Sequence, residues 1–176
     1  MLESFRGDRE IHKKVFSRMS DIFHQESFSA LKESSKLKTY QLLKTEIGLE
    51  PYLTVMNNTE DKKILTKFRL SNHNLMIEKG RHQKINKNLR TCPFCPKHIE
   101  DELHFLLECP GYSIHREELL NSVEEMTHRN LQHTANKQKF LVVLLSNIGH
   151  TPQTGKFLTK AFHTREYLMK DHKTVI

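Results

Sequence analysis

The chain has 176 residues, 36% of them apolar and 28% charged, with no Trp, six Gly, five Pro, three Cys and a net charge of +7. That length holds one domain or a domain with an appended module, and the scarcity of Gly and Pro argues against many short strands joined by tight turns. No apolar run approaches the ~20 residues needed to span a bilayer, the N-terminal MLESFRGDRE has no apolar core of a secretory signal, and three cysteines cannot all pair within one chain, so a nuclear or cytoplasmic, non-secreted protein without a membrane segment is expected.

In chain order, the first predicted element is an amphipathic helix from Arg9 to Gln25, with Ile11, Val15, Met19, Ile22 and Phe23 at three- and four-residue spacing. A second is expected from Ser27 to Glu46, with a weak point at SSKLK, a stop at Gly48 and Pro51 beyond it. Asn57, Asn58 and Thr59 offer N-caps to a helix from Glu60 to Lys79. Glu60 and Asp61 in its first turn and Lys79 in its last suit the helix dipole, and Gly80 reads as its C′ residue. After the cysteines, helices are expected over Ser113–His128, over Ala135–Asn147 and from the Thr151-Pro152 start to about Lys170. The predicted class is all-α, several amphipathic helices around one small irregular module. The chain divides into an N-terminal helical segment (1–58), a basic helix with the cysteine module (59–112) and a C-terminal helical segment (113–176).

Charge is unevenly distributed. From Lys62 to Arg90 there are nine Lys or Arg against Glu78 alone, a net of +8. From Ile99 to Glu125 eight acids face only Arg116, a net of −7. A basic stripe of this kind suits a polyanion, and it equally suits a solvated helical face.

All three cysteines fall between Arg90 and Tyr112, in RTCPFCPKHIEDELHFLLECPGY. The spacing is Cys92-x2-Cys95-x8-His104-x4-Cys109. Three thiolates and one imidazole make the tetrahedral donor set that zinc prefers. On a continuous α-helix, residues five apart point about 140° away from each other, which would separate His104 from Cys109. Pro110 pushes Cys109 out of the α region and Gly111 lets the chain turn, so the spacing becomes workable. A thioredoxin-like pair lacks its βαβ context, haem attachment would need His where Pro96 stands, and His98 in place of His104 would leave His104 without a role. Buried free thiols beside a satisfied histidine remain the alternative. Four protein ligands leave no open position, so the expected zinc is structural and the chain is not expected to be an enzyme.

KFRLSNHNLMIEKGRHQKI followed by TCPFCPKHIEDELHFLLECPGY resembles the C-terminal tail of non-LTR (LINE-like) retrotransposon reverse transcriptases, where a basic lead-in precedes C-x2-C-x7-8-H-x4-C. The resemblance covers about Leu65 to Tyr112, and the matching ligands are Cys92, Cys95, His104 and Cys109. It implies a zinc-binding tail that helps its parent enzyme hold template RNA or target DNA. The polymerase's Tyr followed by paired aspartates is absent, as is a Pro-Asp endonuclease motif. The expected partner is therefore RNA or single-stranded DNA, bound through Lys62, Lys63, Lys67, Arg69, Lys79, Arg81, Lys84, Lys87 and Arg90, with Phe94 offering either a base-stacking face or a core contact. The other readings are a zinc-stabilised helical protein-interaction adaptor, self-association included, and a retrotransposon gene remnant without selected function.

Overall fold

The computed structural model describes residues 2–127 and 136–171, with side chains described over 9–127 and 136–170. Eight α-helices lie among the described residues: α1 (Leu2–Glu33), α2 (Lys38–Leu43), α3 (Tyr52–Val55), α4 (Thr59–Arg69), α5 (Met76–His82), α6 (Ser113–Thr127), α7 (Lys137–Ser146) and α8 (Thr151–Asp171). Their only extended pairing is one antiparallel bridge, Thr91–Ile99. The all-α expectation therefore holds. No helix among the described residues is long and apolar enough to cross a membrane.

The helices differ from the predicted ones where a signal is tertiary. α1 runs straight through Gln25–Glu26, because nothing there removes a donor or forces a turn, and it stops at the weak SSKLK stretch. Gln41 then caps its open end, Nε2 donating to the Leu31 and Ser34 carbonyls at 2.7 Å each. Asn58 is the N-cap of α4, its Oδ1 accepting from the Glu60 and Asp61 amides. The helix predicted to reach Lys79 ends ten residues earlier, at Arg69. Ser71 adopts the left-handed region (φ +49°), Ser71 N–H donates to Phe68 O, and Asn72 N–H donates to Lys67 O, which closes a Schellman motif without glycine. The Ser71 hydroxyl donates to Glu102 at 2.9 Å, so a residue thirty-one positions away helps hold this turn. The predicted helix ends at His128 and Ala135 lie outside the described residues.

Gly80 is not a C′ residue; it sits inside α5. A Cβ there would lie 2.6 Å from Arg90 Cγ. Arg90 cannot easily withdraw, because Nε donates to Ile85 O and Nη1 to Ile77 O, each at 2.9 Å. Gly80→Ala is expected to destabilise the protein by about 1–3 kcal/mol despite alanine's better helix propensity. A urea midpoint equal to or above that of the parent would refute this.

α8 is the central strut, packing on α4, α6 and α7. Gly155 permits the close α4 approach, since a Cβ there would meet Asp61 O at 3.2 Å. One hydrophobic cluster joins all three predicted segments: Leu43 and Tyr52 from the first, Leu65, Phe68 and Phe105 from the second, Val123, Leu144 and Leu158 from the third. The cysteine module is built into this cluster.

Candidate metal centre

The backbone from Arg90 to Glu100 closes as a narrow loop. Cys92 N–H donates to His98 O at 2.8 Å and Glu100 N–H to Arg90 O at 3.0 Å, on either side of the Thr91–Ile99 bridge. Within it, Cys95 N–H donates to Cys92 O and His98 N–H to Cys95 O, the turns that bring the first two sulfurs together.

His104 and Cys109 meet by a route the sequence only half predicts. Cys109 is extended (φ −61°, ψ 121°), as its position before Pro110 requires. In addition, His104–Glu108 is a π-turn, and Cys109 N–H donates to His104 O at 2.7 Å. An i→i+5 closure places residue 109 back over residue 104, whereas an α-turn would swing it away. Asp101 holds the start of this turn, its Oδ1 accepting from the His104 amide at 2.8 Å. Arg116, the lone base of the acidic segment, holds its end: Nε donates to Leu106 O at 2.9 Å and Nη2 to Cys109 O at 2.7 Å.

The ligand atoms of Cys92, Cys95, His104 and Cys109 all lie within 4.8 Å of one another. Cys109 Sγ is 3.8 Å from Cys92 Sγ and 3.6 Å from Cys95 Sγ. Cys92, Cys109 and His104 are buried, and Cys95 is half-buried. Neither ring nitrogen of His104 has a hydrogen-bond partner. The nearest acid, Glu108 Oε2, lies 3.8 Å from His104 Nδ1, so the buried imidazole is free to offer a nitrogen to a cation beside the three thiols. The residues thus form a site that could hold a metal ion. The hydrogen bond between Cys92 and Cys109 holds the Cys92 thiol below its ordinary pKa and pushes Cys109 up, and burial raises Cys95. His98 stacks on His104, centroids 5.2 Å apart, and stays exposed at the rim.

The basic residues separate into two groups. Lys63 and Lys67 are exposed on α4, and Lys79, Lys84 and Lys87 are exposed on α5 and the turn after it. The others are engaged internally. Arg69 is 2% exposed; it donates to Leu145 O and Glu50 Oε2 and lies 4.6 Å from the Tyr52 ring centroid. It is therefore not a phosphate contact, and the reason is that its charge is spent tying α4 to α7 and to Glu50. Lys62 donates to Leu53 O at 2.9 Å, Arg81 pairs with Glu78 at 2.6 Å, and Arg90 is committed to α5 as described. Phe94 is half-buried, edge-on to Tyr112 with centroids 5.9 Å apart, so its ring belongs at least partly to the core.

Two residues that carry structural weight at this site escaped the sequence reading. Glu100 is fully buried and paired with Arg165 of α8 through two bonds of 2.7 and 2.9 Å, and its Oε2 also accepts from Met76 N–H at 2.6 Å. Neither has a motif; only the unusual acid density after His98 hinted that some of those carboxylates turn inward. Comparison with protein-family models, with curated proteins and with solved structures found no match to this chain.

Proposed function

We propose that this chain is a non-catalytic, zinc-stabilised nucleic-acid-binding module. Zinc suits the cluster because Zn–S bonds of about 2.3 Å in a tetrahedron put sulfurs about 3.8 Å apart. The spacings of 3.8 and 3.6 Å match that, and the His104 ring offers the fourth donor. Cys92, Cys95, His104 and Cys109 would fill every position, which leaves the metal a structural role.

The observation that carries the binding reading is the attachment of the exposed lysines to the knuckle. Lys79, Lys84 and Lys87 sit on the segment that Arg90 straps back onto α5, and the first bond of the knuckle, Glu100 N–H to Arg90 O, begins at that strap. Ile77 N–H also donates to Glu100 O at 3.0 Å. A metal-held loop thus fixes a cationic surface at one place, and the resemblance of residues 65–112 to a retrotransposon tail implies the same partner class. Recognition would rest on charge and shape, with RNA or single-stranded DNA as the partner.

The test is fluorescence anisotropy with labelled RNA, single-stranded DNA and duplex DNA across a salt series, with zinc-loaded and chelated protein. Salt-sensitive binding by the zinc-loaded form is expected. Neutralising Lys79, Lys84 and Lys87 together should flatten the log–log salt slope by about 2 for a single strand. Arg69→Ala is unsuitable for this purpose, since it would disrupt packing. No binding at low salt with zinc bound would overturn the reading.

A further inference from the structure

α1 leaves one long face uncovered. Ile11, Val15, Phe16, Met19, Ile22 and Phe23 are between 44% and 77% exposed, and their three- and four-residue spacing gathers them on one side of the helix. Phe28 and Leu31 lie on the opposite side and are half-buried, close to where Gln41 clamps the end of α1 to the rest of the molecule. The helix thus attaches to the body of the molecule by one face, near its C-terminus, and presents the other. Contiguous apolar surface of this extent on a charged protein marks an interaction site.

We infer that this face is covered by the same face of a second copy of this chain, the two α1 helices running antiparallel. Charge sets the direction. Residues 9–18 carry Arg9, Lys13, Lys14 and Arg18 against Glu10, whereas residues 19–33 carry Asp21, Glu26 and Glu33 against Lys32. Antiparallel pairing centred between Phe16 and Met19 sets Arg9, at the edge of the apolar stripe, beside Glu26 of the second copy. Parallel pairing would set like charges side by side. Area is adequate: the six side chains expose on the order of 600 Å² per copy, at the low end of what a specific interface buries. An anionic membrane is the poorer occupant, because the acidic half of the helix would face the headgroups as well.

Sedimentation equilibrium of the zinc-loaded chain across the micromolar range tests this. A reversible monomer–dimer equilibrium is expected. Phe16→Glu and Met19→Glu should each raise the dissociation constant at least tenfold without changing helicity, since both positions face solvent in the monomer. Chains carrying Arg9→Glu should pair preferentially with chains carrying Glu26→Lys, which reads the antiparallel direction directly. A monomer throughout, a dimer indifferent to Phe16→Glu, or uptake by phosphatidylserine vesicles without any dimer would overturn it. None of these outcomes depends on whether nucleic acid binds.

Discussion

If the cluster holds zinc, as proposed, chelation should unfold residues 90–112 and loosen the rest of the molecule with them. A closed site of three thiolates and one imidazole supplies on the order of 10 kcal/mol of apparent folding free energy, comparable with the whole stability of a domain. Here the four candidate ligands are not on a detached knuckle. Cys92 and Cys109 belong to the same cluster as Phe68, Phe105 and Leu158. Phe105 packs against Tyr112 at 4.5 Å and Phe162 at 4.7 Å between centroids. Without the metal, His104 and Cys109 are joined only through the turn that Asp101 and Arg116 hold at its two ends, and the Phe105 ring the turn carries is less firmly placed. Amide exchange should therefore accelerate first at residues 92–109 and then along α8, and the thermal midpoint of the whole chain should fall. Acid should act in the same direction, because binding requires deprotonated thiols and a neutral imidazole, so zinc is released as pH falls. Cys109→Ser should reproduce the effect at neutral pH. Unchanged exchange protection at residues 92–109 after metal removal would refute the structural role.

The second large effect is expected at Glu100 and Arg165. The carboxylate is fully buried, the guanidinium 5% exposed, and the pair joins the knuckle to α8 while also capping the start of α5 through Met76 N–H. Removing one partner leaves an uncompensated buried charge. Glu100→Ala or Arg165→Ala should each cost about 3–5 kcal/mol in zinc-saturated protein. Replacing both with apolar residues of similar volume, Glu100→Leu with Arg165→Met, should recover most of that loss, because the expensive element is the lone charge rather than the missing attraction. Urea unfolding of the two single variants and the double variant closes the cycle. Single variants within about 1 kcal/mol of the parent would show that the pair is not a structural bolt.

The helical class, the Asn58 cap, the break near SSKLK and the candidate cluster of Cys92, Cys95, His104 and Cys109 were legible in the sequence because each is local. A cap reads out over three residues, and Cys-x2-Cys brings two ligands together through its own turn geometry. Pro110 signalled that Cys109 leaves the helix, since the restriction acts on the residue beside it. The π-turn was not legible: its extra hydrogen bond depends on Arg116 and Asp101 holding the two ends, and on Phe105 finding the core. The end of α4 was misplaced for a similar reason. Ser71 takes a left-handed conformation that glycine would have announced, and its hydroxyl bonds a carboxylate brought near by the knuckle.

Charge was the least transferable signal. The nine basic residues from Lys62 to Arg90 read as one stripe, but Arg69 and Arg90 spend their donors on internal carbonyl or carboxylate groups, and Lys62 and Arg81 are paired. A sequence records that a side chain is charged, and burial decides whether that charge meets solvent or protein. The same holds for the acids after Ile99, where Glu100 is a core residue and Glu118 is on the surface. By itself the sequence determined what is set over a few residues: helix-forming stretches, their local caps, and the identity and spacing of a tetrahedral donor set. Tertiary structure alone decided which charges stay free, which face of α1 goes uncovered and how His104 and Cys109 meet, because each depends on which groups the folded chain brings within reach, from Asp101 three residues from His104 to Leu145 seventy-six residues from Arg69.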